Sequence, residues 1–336
     1  MTQMFDRRSF LRGIGVSGLS LAVTGLAAPH IANAAATRLT IVSNPGLENA
    51  TLNMLMEEQG FLQKFGADTT LVEAAGATGP FNAITSREAD ICMVSGYNMV
   101  LSRIEDGARV KIVGAGMRKP ALTVFARPGI ETLADLEGRT VAVGPDLGLL
   151  HALMLQLLRE RKIDASAVNF TDRGSNDQAY QAVVSGEADA CCSSISHLND
   201  QDGLVVISEG NMWEALPNYV FQTAYAADDA LQDKHENLVA VMAAYGSLYE
   251  YLMTPDARDA FLAARKRVQK NFDEASALAV WDFNQQHRPY SRDLSITDEE
   301  IGYLQDMFLG LGALKTRQPI SAVADMTAAQ AAAKRL

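Results

Sequence analysis

Short apolar runs along this chain alternate with longer stretches whose apolar residues recur at helical spacing. The runs at 39–42, 69–73, 110–115, 122–127, 140–143, 168–171 and 204–207 lie between polar or turn-forming residues and read as strands. Residues 50–59 place Leu52, Leu55 and Met56 on one helical face before Gly60 ends the helix, and 149–161 form a second helix directly after a strand. Residues 132–138 read as a short capped turn of helix, and the run at 219–223 is expected to carry the chain back to the first group of strands. From 228 onward the period is helical throughout. One helix is expected over 228–252, another restarts at Pro255, Asn271 is expected to cap the next, and Thr297 with Glu300 forms a capping box ahead of 301–311. Alternating strands and helices followed by a helical tail predict an α/β protein.

One unit of this pattern occurs twice. Glu88-Ala89-Asp90-Ile91-Cys92 returns as Glu187-Ala188-Asp189-Ala190-Cys191, preceded by Ser86 or Ser185 and followed by Ser95 or Ser194, at a constant offset of 99 residues. In both copies a helical stretch (81–84, then 180–184) passes through a polar stop into an apolar run, which predicts helix, turn and buried strand. Each copy ends in a small polar loop, Ser95-Gly96-Tyr97-Asn98 and Ser194-Ile195-Ser196-His197. Loops beyond the carboxyl ends of strands are where open α/β sheets hold ligands, so two similar lobes with a cleft between them are expected.

The first 34 residues change where that cleft would work. Arg7-Arg8 precede an uncharged stretch from Gly13 to Pro29, and Ala32-Asn33-Ala34 supplies a small-x-small cleavage pattern, which predicts a twin-arginine export signal. Gly13, Gly15, Gly18 and Gly25 keep the stretch only mildly apolar, and Pro29 would break a spanning helix, so a removable leader is expected and not an anchor. Gly13-Ile14-Gly15-Val16-Ser17-Gly18 matches a dinucleotide fingerprint by letter, but no strand precedes it. No cysteine follows the cleavage site to carry a lipid, so retention requires an outer membrane and the periplasm is the expected compartment.

Cleavage after Ala34 leaves 302 residues, and loss of Asp6, Arg7, Arg8 and Arg12 leaves 26 basic against 39 acidic residues, a net charge of about −13. That charge repels nucleic acid and anionic lipid, and neither is expected as a partner. Cys92, Cys191 and Cys192 fall in apolar runs and are expected as buried free thiols. With neither CxxC nor HExxH in the chain, no metal and no cofactor are expected.

The export signal, Asn44-Pro45-Gly46, Glu58-Gln59-Gly60-Phe61, both copies of the repeat, and the segments 107–113, 133–143 and 309–314 together resemble the nitrate/sulfonate/taurine solute-binding proteins of ABC importers, a group that extends to binders of thiamine-pyrimidine precursors. The resemblance spans nearly the whole mature chain. It implies a two-lobed periplasmic-binding fold of type II, each lobe a sheet flanked by helices, with a helical C-terminal tail. Residues 35–122 and 223–336 would form lobe one and 123–222 lobe two, after the signal at 1–34. It further implies a monomer that closes on a small molecule and presents the closed form to an inner-membrane permease. The ligand positions it implies are Asn44, Gly46, Thr78, Ser95, Tyr97, Asn98 and Arg118 from lobe one, and Asp146, Gly148, Arg173, Ser175 and Ser194 from lobe two. Backbone N–H groups at these loops, with Arg118 or Arg173 as a guanidinium fork, would suit sulfonate, nitrate or carboxylate.

Two departures bear on ligand class. Gly144-Pro145-Asp146-Leu147-Gly148 puts a carboxylate where relatives often have Gly-Ser-Ser, and an N-capping Asp146 would occupy the donors of the following helix. Either an arginine then holds an anion, or Asp146 accepts a cationic or donor end of the ligand, as an amino-sulfonate or a pyrimidine would offer. Ser193-Ser194-Ile195-Ser196 stands where relatives often show Trp-Glu-Pro, so Tyr97, Trp213 and Tyr219 are candidates for aromatic walls. Cys191-Cys192 with His197 and His151 invites comparison with enzymes of the same fold, but no nucleophile, base and orienting group can be read from the spacing, and binding without catalysis is expected. An exported enzyme and a sensory binding protein that docks on a receptor are the alternatives.

Overall fold

The computed structural model describes residues 38–76 and 78–336. The export signal and its cleavage site lie outside the described residues. Among the described residues ten strands form two five-stranded sheets. They are β1 (Leu39–Ser43), β2 (Thr69–Glu73), β3 (Ile91–Ser95), β4 (Val110–Gly114), β5 (Leu122–Ala126), β6 (Thr140–Val143), β7 (Asn169–Asp172), β8 (Ala190–Ser194), β9 (Val205–Ile207) and β10 (Thr223–Ala227). The first sheet has the order β2-β1-β3-β10-β4 and the second β7-β6-β8-β5-β9. In each, the first three strands run parallel and the fourth is antiparallel to both neighbours. The fourth strand is in both cases supplied by the chain as it crosses between sheets.

The 99-residue repeat is a structural repeat. Helices Gly79–Thr85 and Asn176–Val184 end where Ser86 and Ser185 donate Oγ–H to the carbonyls of Ala83 and Ala182, each at 3.2 Å. The next residues, Arg87 and Gly186, are left-handed at φ 65° and 81°. Asp90 and Asp189 then open β3 and β8 by the same double bond to a neighbouring strand. Asp90 donates its N–H to Thr40 O and accepts from Thr40 N at Oδ2, at 2.9 and 2.7 Å, and Asp189 does the same with Thr140 at 2.8 and 2.9 Å. The parallel pairs Ile41 with Ile91 and Val141 with Ala190 follow from these anchors.

The chain crosses at 115–121 and returns at 216–222, and the two segments hydrogen-bond to each other. Phe221 and Gln222 donate N–H to the carbonyls of Arg118 and Met117 at 3.1 and 2.9 Å. A third segment lies alongside, with Arg118 N–H on Pro289 O at 2.7 Å and Ser291 N–H on Gly116 O at 3.1 Å. The return strand starts at Thr223, later than the run at 219–223 suggests, because Tyr219 and Val220 are buried in the crossing itself.

The helical tail differs from the sequence pattern at two points. The helix expected over 228–252 breaks into Asp228–Asp233 and His235–Leu252, since Lys234 at φ −122° turns its Nζ onto both Asp90 oxygens at 2.9 and 2.8 Å. Asp273, and not Asn271, caps helix Glu274–His287, its Oδ1 accepting from Ser276 N. The capping box at Thr297 and Glu300 forms as expected. Helix His235–Leu252 is buried on most of its circumference, beneath sheet one and against helix Thr327–Ala333, which explains its nearly continuous apolar sequence. No helix among the described residues is long and apolar enough to cross a membrane.

Candidate functional site: the cleft between the sheets

A cavity of about 560 Å³ opens between the carboxyl ends of the two sheets. Sheet one contributes Asn44, Gly46, Leu47, Glu48 and Asn49 after β1, and Val94, Ser95 and Gly96 at the end of β3. Sheet two contributes Ser175, Asn176 and Asp177 after β7, and Ser194 to His197 after β8. The crossing segments supply Met117, Ala121, Phe221 and Gln222 as a floor. The C-terminal helices close one side with Arg265, Gln269, Asp273, Ser276 and Val280, joined by Tyr290.

Of the positions expected from sequence, Asn44, Gly46, Ser95, Ser175 and Ser194 meet on this wall. Asn44 folds its Oδ1 onto Gly46 N–H at 2.9 Å, which fixes the turn into helix Leu47–Glu58. Ser175 caps helix Asn176–Val184 through a capping box with Gln178. Ser194 Oγ accepts from Ser196 N at 3.2 Å. Asn98 opens helix Asn98–Glu105 just after the β3 loop.

The remaining positions are placed elsewhere. Thr78 is exposed ahead of helix Gly79–Thr85. Tyr97 is fully buried and donates its hydroxyl to Gln222 O at 3.1 Å, and burial pushes that hydroxyl's pKa well up. Arg118 gives Nη2 to Glu300 and Nη1 to the Ser295 carbonyl at 3.0 Å, so its guanidinium serves a loop and a helix start. Arg173 puts Nη1 2.8 Å from Glu187. Asp146 is exposed and does not cap helix Leu149–Glu160; Gly148 is the N-cap, with no side-chain cap, while Asp146 Oδ1 lies 3.1 Å from His151 Nδ1. The physical reason is Leu147, left-handed at φ 52°, which inserts an extra turn and carries the carboxylate outward. Of the aromatic candidates, Tyr219 and Trp213 belong to the core; Phe221 and Tyr290 take the wall positions instead.

His197 does line the cavity. Its ring stacks on Tyr180 at 3.8 Å and 4° and meets Phe125 edge-on, and its Nε2 lies 3.4 Å from Asp177 Oδ1. That contact holds the Asp177 carboxyl below its usual range, with burial working in the opposite direction. His151 stays out, its Nδ1 accepting from Leu147 N at 3.1 Å and its ring against Phe170. No thiol reaches the cleft: Cys92, Cys191 and Cys192 are free and buried, and burial pushes Cys92 up to about 11 and Cys192 up to about 12. Among the described residues no group of three or more His, Cys, Asp or Glu side chains is placed to hold a metal ion.

Sequence reasoning missed Arg265. The residue sits in helix Arg258–Val268 with its side chain 1% exposed, Nη1 2.7 Å from Glu48 Oε1, and neither Nε nor Nη1 hydrogen-bonded. Arg265-Lys266-Arg267 reads in sequence as a basic last turn that complements the helix dipole. The available signal was the helical wheel, where Arg265 shares a stripe with the buried Phe261 and Ala264.

Two five-stranded α/β lobes joined by paired crossing segments, with a cleft at their carboxyl ends, define the two-lobed periplasmic-binding fold. The chain belongs to the NMT1/THI5-like family, whose model matches residues 49–258. No curated protein sequence matches it. Among solved structures it is similar to the periplasmic aliphatic sulphonate binding protein SsuA of Escherichia coli, at 18% identity and a TM-score of 0.70 over 86% of this chain and 92% of that one. It is similar also to the alkanesulfonate-binding protein SsuA of Xanthomonas axonopodis pv. citri bound to MOPS, at 18% identity and a TM-score of 0.67 over 85% and 98%. The desulfurization enzyme DSZB shares the fold at 16% identity and a TM-score of 0.65 over 89% and 99%, so the architecture carries both binding and catalysis.

Proposed function

We propose that this chain is the periplasmic solute-binding component of an ABC-type importer, exported by the twin-arginine route, acting as a monomer and capturing a small organic solute by hinge closure. The observation that carries the reading is the cleft itself, roofed by loops from both sheets over a floor made of the two crossing segments. In this reading residues 35–122 and 223–336 move as one lobe and 123–222 as the other. The cleft volume of about 560 Å³ falls in the range of organic-ligand pockets and far exceeds what nitrate or bicarbonate would fill, which favours a sulfonate, carboxylate or pyrimidine-like solute with an apolar body. Family membership and a fold shared with two sulfonate-binding proteins support the same reading.

A solute that binds only the closed native state raises the melting temperature and contracts the molecule. The test is a thermal-shift screen of ligand-free mature protein against organic acids, pyrimidines and uncharged solutes, followed by small-angle scattering with any hit. Stabilisation together with a smaller radius of gyration is expected, with the solute recovered unchanged. Recovery of a converted product would assign the cleft to catalysis, and a flat screen would remove the solute-capture reading.

A further inference from the structure

Arg265 is buried beside the cleft, its Nη1 paired with the Glu48 carboxylate and its Nε without a hydrogen-bond acceptor. A desolvated guanidinium is normally retained only where its N–H groups are filled, so a donor left open on a cavity wall points to an acceptor that arrives with the ligand. The Nε edge of a guanidinium donates two parallel N–H bonds to two oxygens of one acid group, which favours carboxylate and sulfonate over a single-point acceptor. Glu48, half exposed at 48%, holds its Oε1 2.7 Å from Nη1 on the same wall. The pair is therefore already neutral before any ligand enters.

We propose that Arg265 anchors the acid group of the solute and that Glu48 restricts the site to monoanions. Resting on the solute-capture reading above, this assignment names both the ligand's charge and the residues that read it. A monoanion shares the guanidinium with Glu48 and leaves one excess negative charge at the pair. A dianion brings a second charge within a few ångströms of the Glu48 carboxylate in a partly desolvated cleft, a repulsion that reduces affinity by about tenfold or more. The apolar side of the same cavity, with Phe221 and Tyr290, receives the organic body.

The test is calorimetric titration of the mature protein at about pH 8, where a phosphate monoester is a dianion, with benzenesulfonate, benzoate, phenyl phosphate and the uncharged benzenesulfonamide as probes. The parent should bind a monoanion, and phenyl phosphate about tenfold or more weakly. Arg265→Gln should lose roughly thirtyfold or more for the monoanion, and Arg265→Lys, which keeps the charge without the fork, should recover only part of it. Glu48→Gln should raise phenyl phosphate affinity towards that of the monoanion; a gain of binding cannot come from misfolding, so this variant decides the matter even if Arg265→Gln unfolds. Monoanion binding by Arg265→Gln within about twofold of the parent, or an unchanged preference in Glu48→Gln, overturns the assignment while leaving solute capture in place. A parent that binds benzenesulfonamide and no anion does the same, and a parent that binds none of the four overturns the assignment.

Discussion

Arg118 and Glu300 show how a charged pair at a crossing point is used. Glu300 is drawn up by burial but held below the usual carboxylate range by Arg118 and by the Thr297 N–H and hydroxyl. A carboxyl whose folded pKa is depressed stabilises the native state above its unfolded value, and that contribution disappears as pH falls through the folded one. Glu300→Gln should therefore lower unfolding free energy by about 1–2 kcal/mol near neutral pH, with the gap to the parent closing in acid, as chemical denaturation across the acid range would show. Arg118→Ala should incur a similar loss while leaving solute affinity nearly unchanged, because its guanidinium is spent on Glu300 and the Ser295 carbonyl. Equal stability of parent and Arg118→Ala, or a large loss of affinity, would return Arg118 to the ligand. Sequence alone could name arginines near strand ends but not their partners, since Glu300 lies 182 residues along the chain from Arg118.

At the scale of elements, what was legible is what is local. Helix Asn176–Val184, its stop and the strand after it are set within twenty residues by capping and period, and the same unit at Gly79–Thr85 folds the same way. What was not legible depends on distant chain: the break at Lys234 comes from Asp90, and the burial of Arg265 comes from packing against helix Leu47–Glu58. The repeat also makes a paired prediction. Asp189→Ala leaves Thr140 N–H without its carboxylate and should reduce stability by about 1–3 kcal/mol, whereas Asp90→Ala also strands the largely buried Lys234 ammonium and should lose more. Urea midpoints in the reverse order would show that the Lys234 contact adds no stability at Asp90. Gly186→Ala at φ 81° should be less stable than the parent by about 1 kcal/mol, the left-handed strain that Arg87 already bears in the other copy.

Over the whole molecule, the crossing segments around 116–118 and 221–222 and the segment at 289–291 form a small sheet-like bundle packed on tyrosines. Gly116 is required there by close approach, because a methyl at that position would overlap the Tyr249 ring. Gly116→Ala should cost about 1–3 kcal/mol of stability and alter closure, which thermal unfolding and scattering with bound solute would measure together. The sheet orders carry a consequence for synthesis. Sheet two is complete once Ile207 has left the ribosome, so it can form as a contiguous unit. Sheet one cannot, because β10 inserts between β3 and β4, and among the described residues β4 has no other partner strand. The buried edges of β3 and β4 stay unpaired while more than a hundred further residues are translated, a wait in which apolar strands are prone to join other chains. Nascent chains stalled before residue 223 should therefore engage holding chaperones, and release should coincide with the emergence of the last strand.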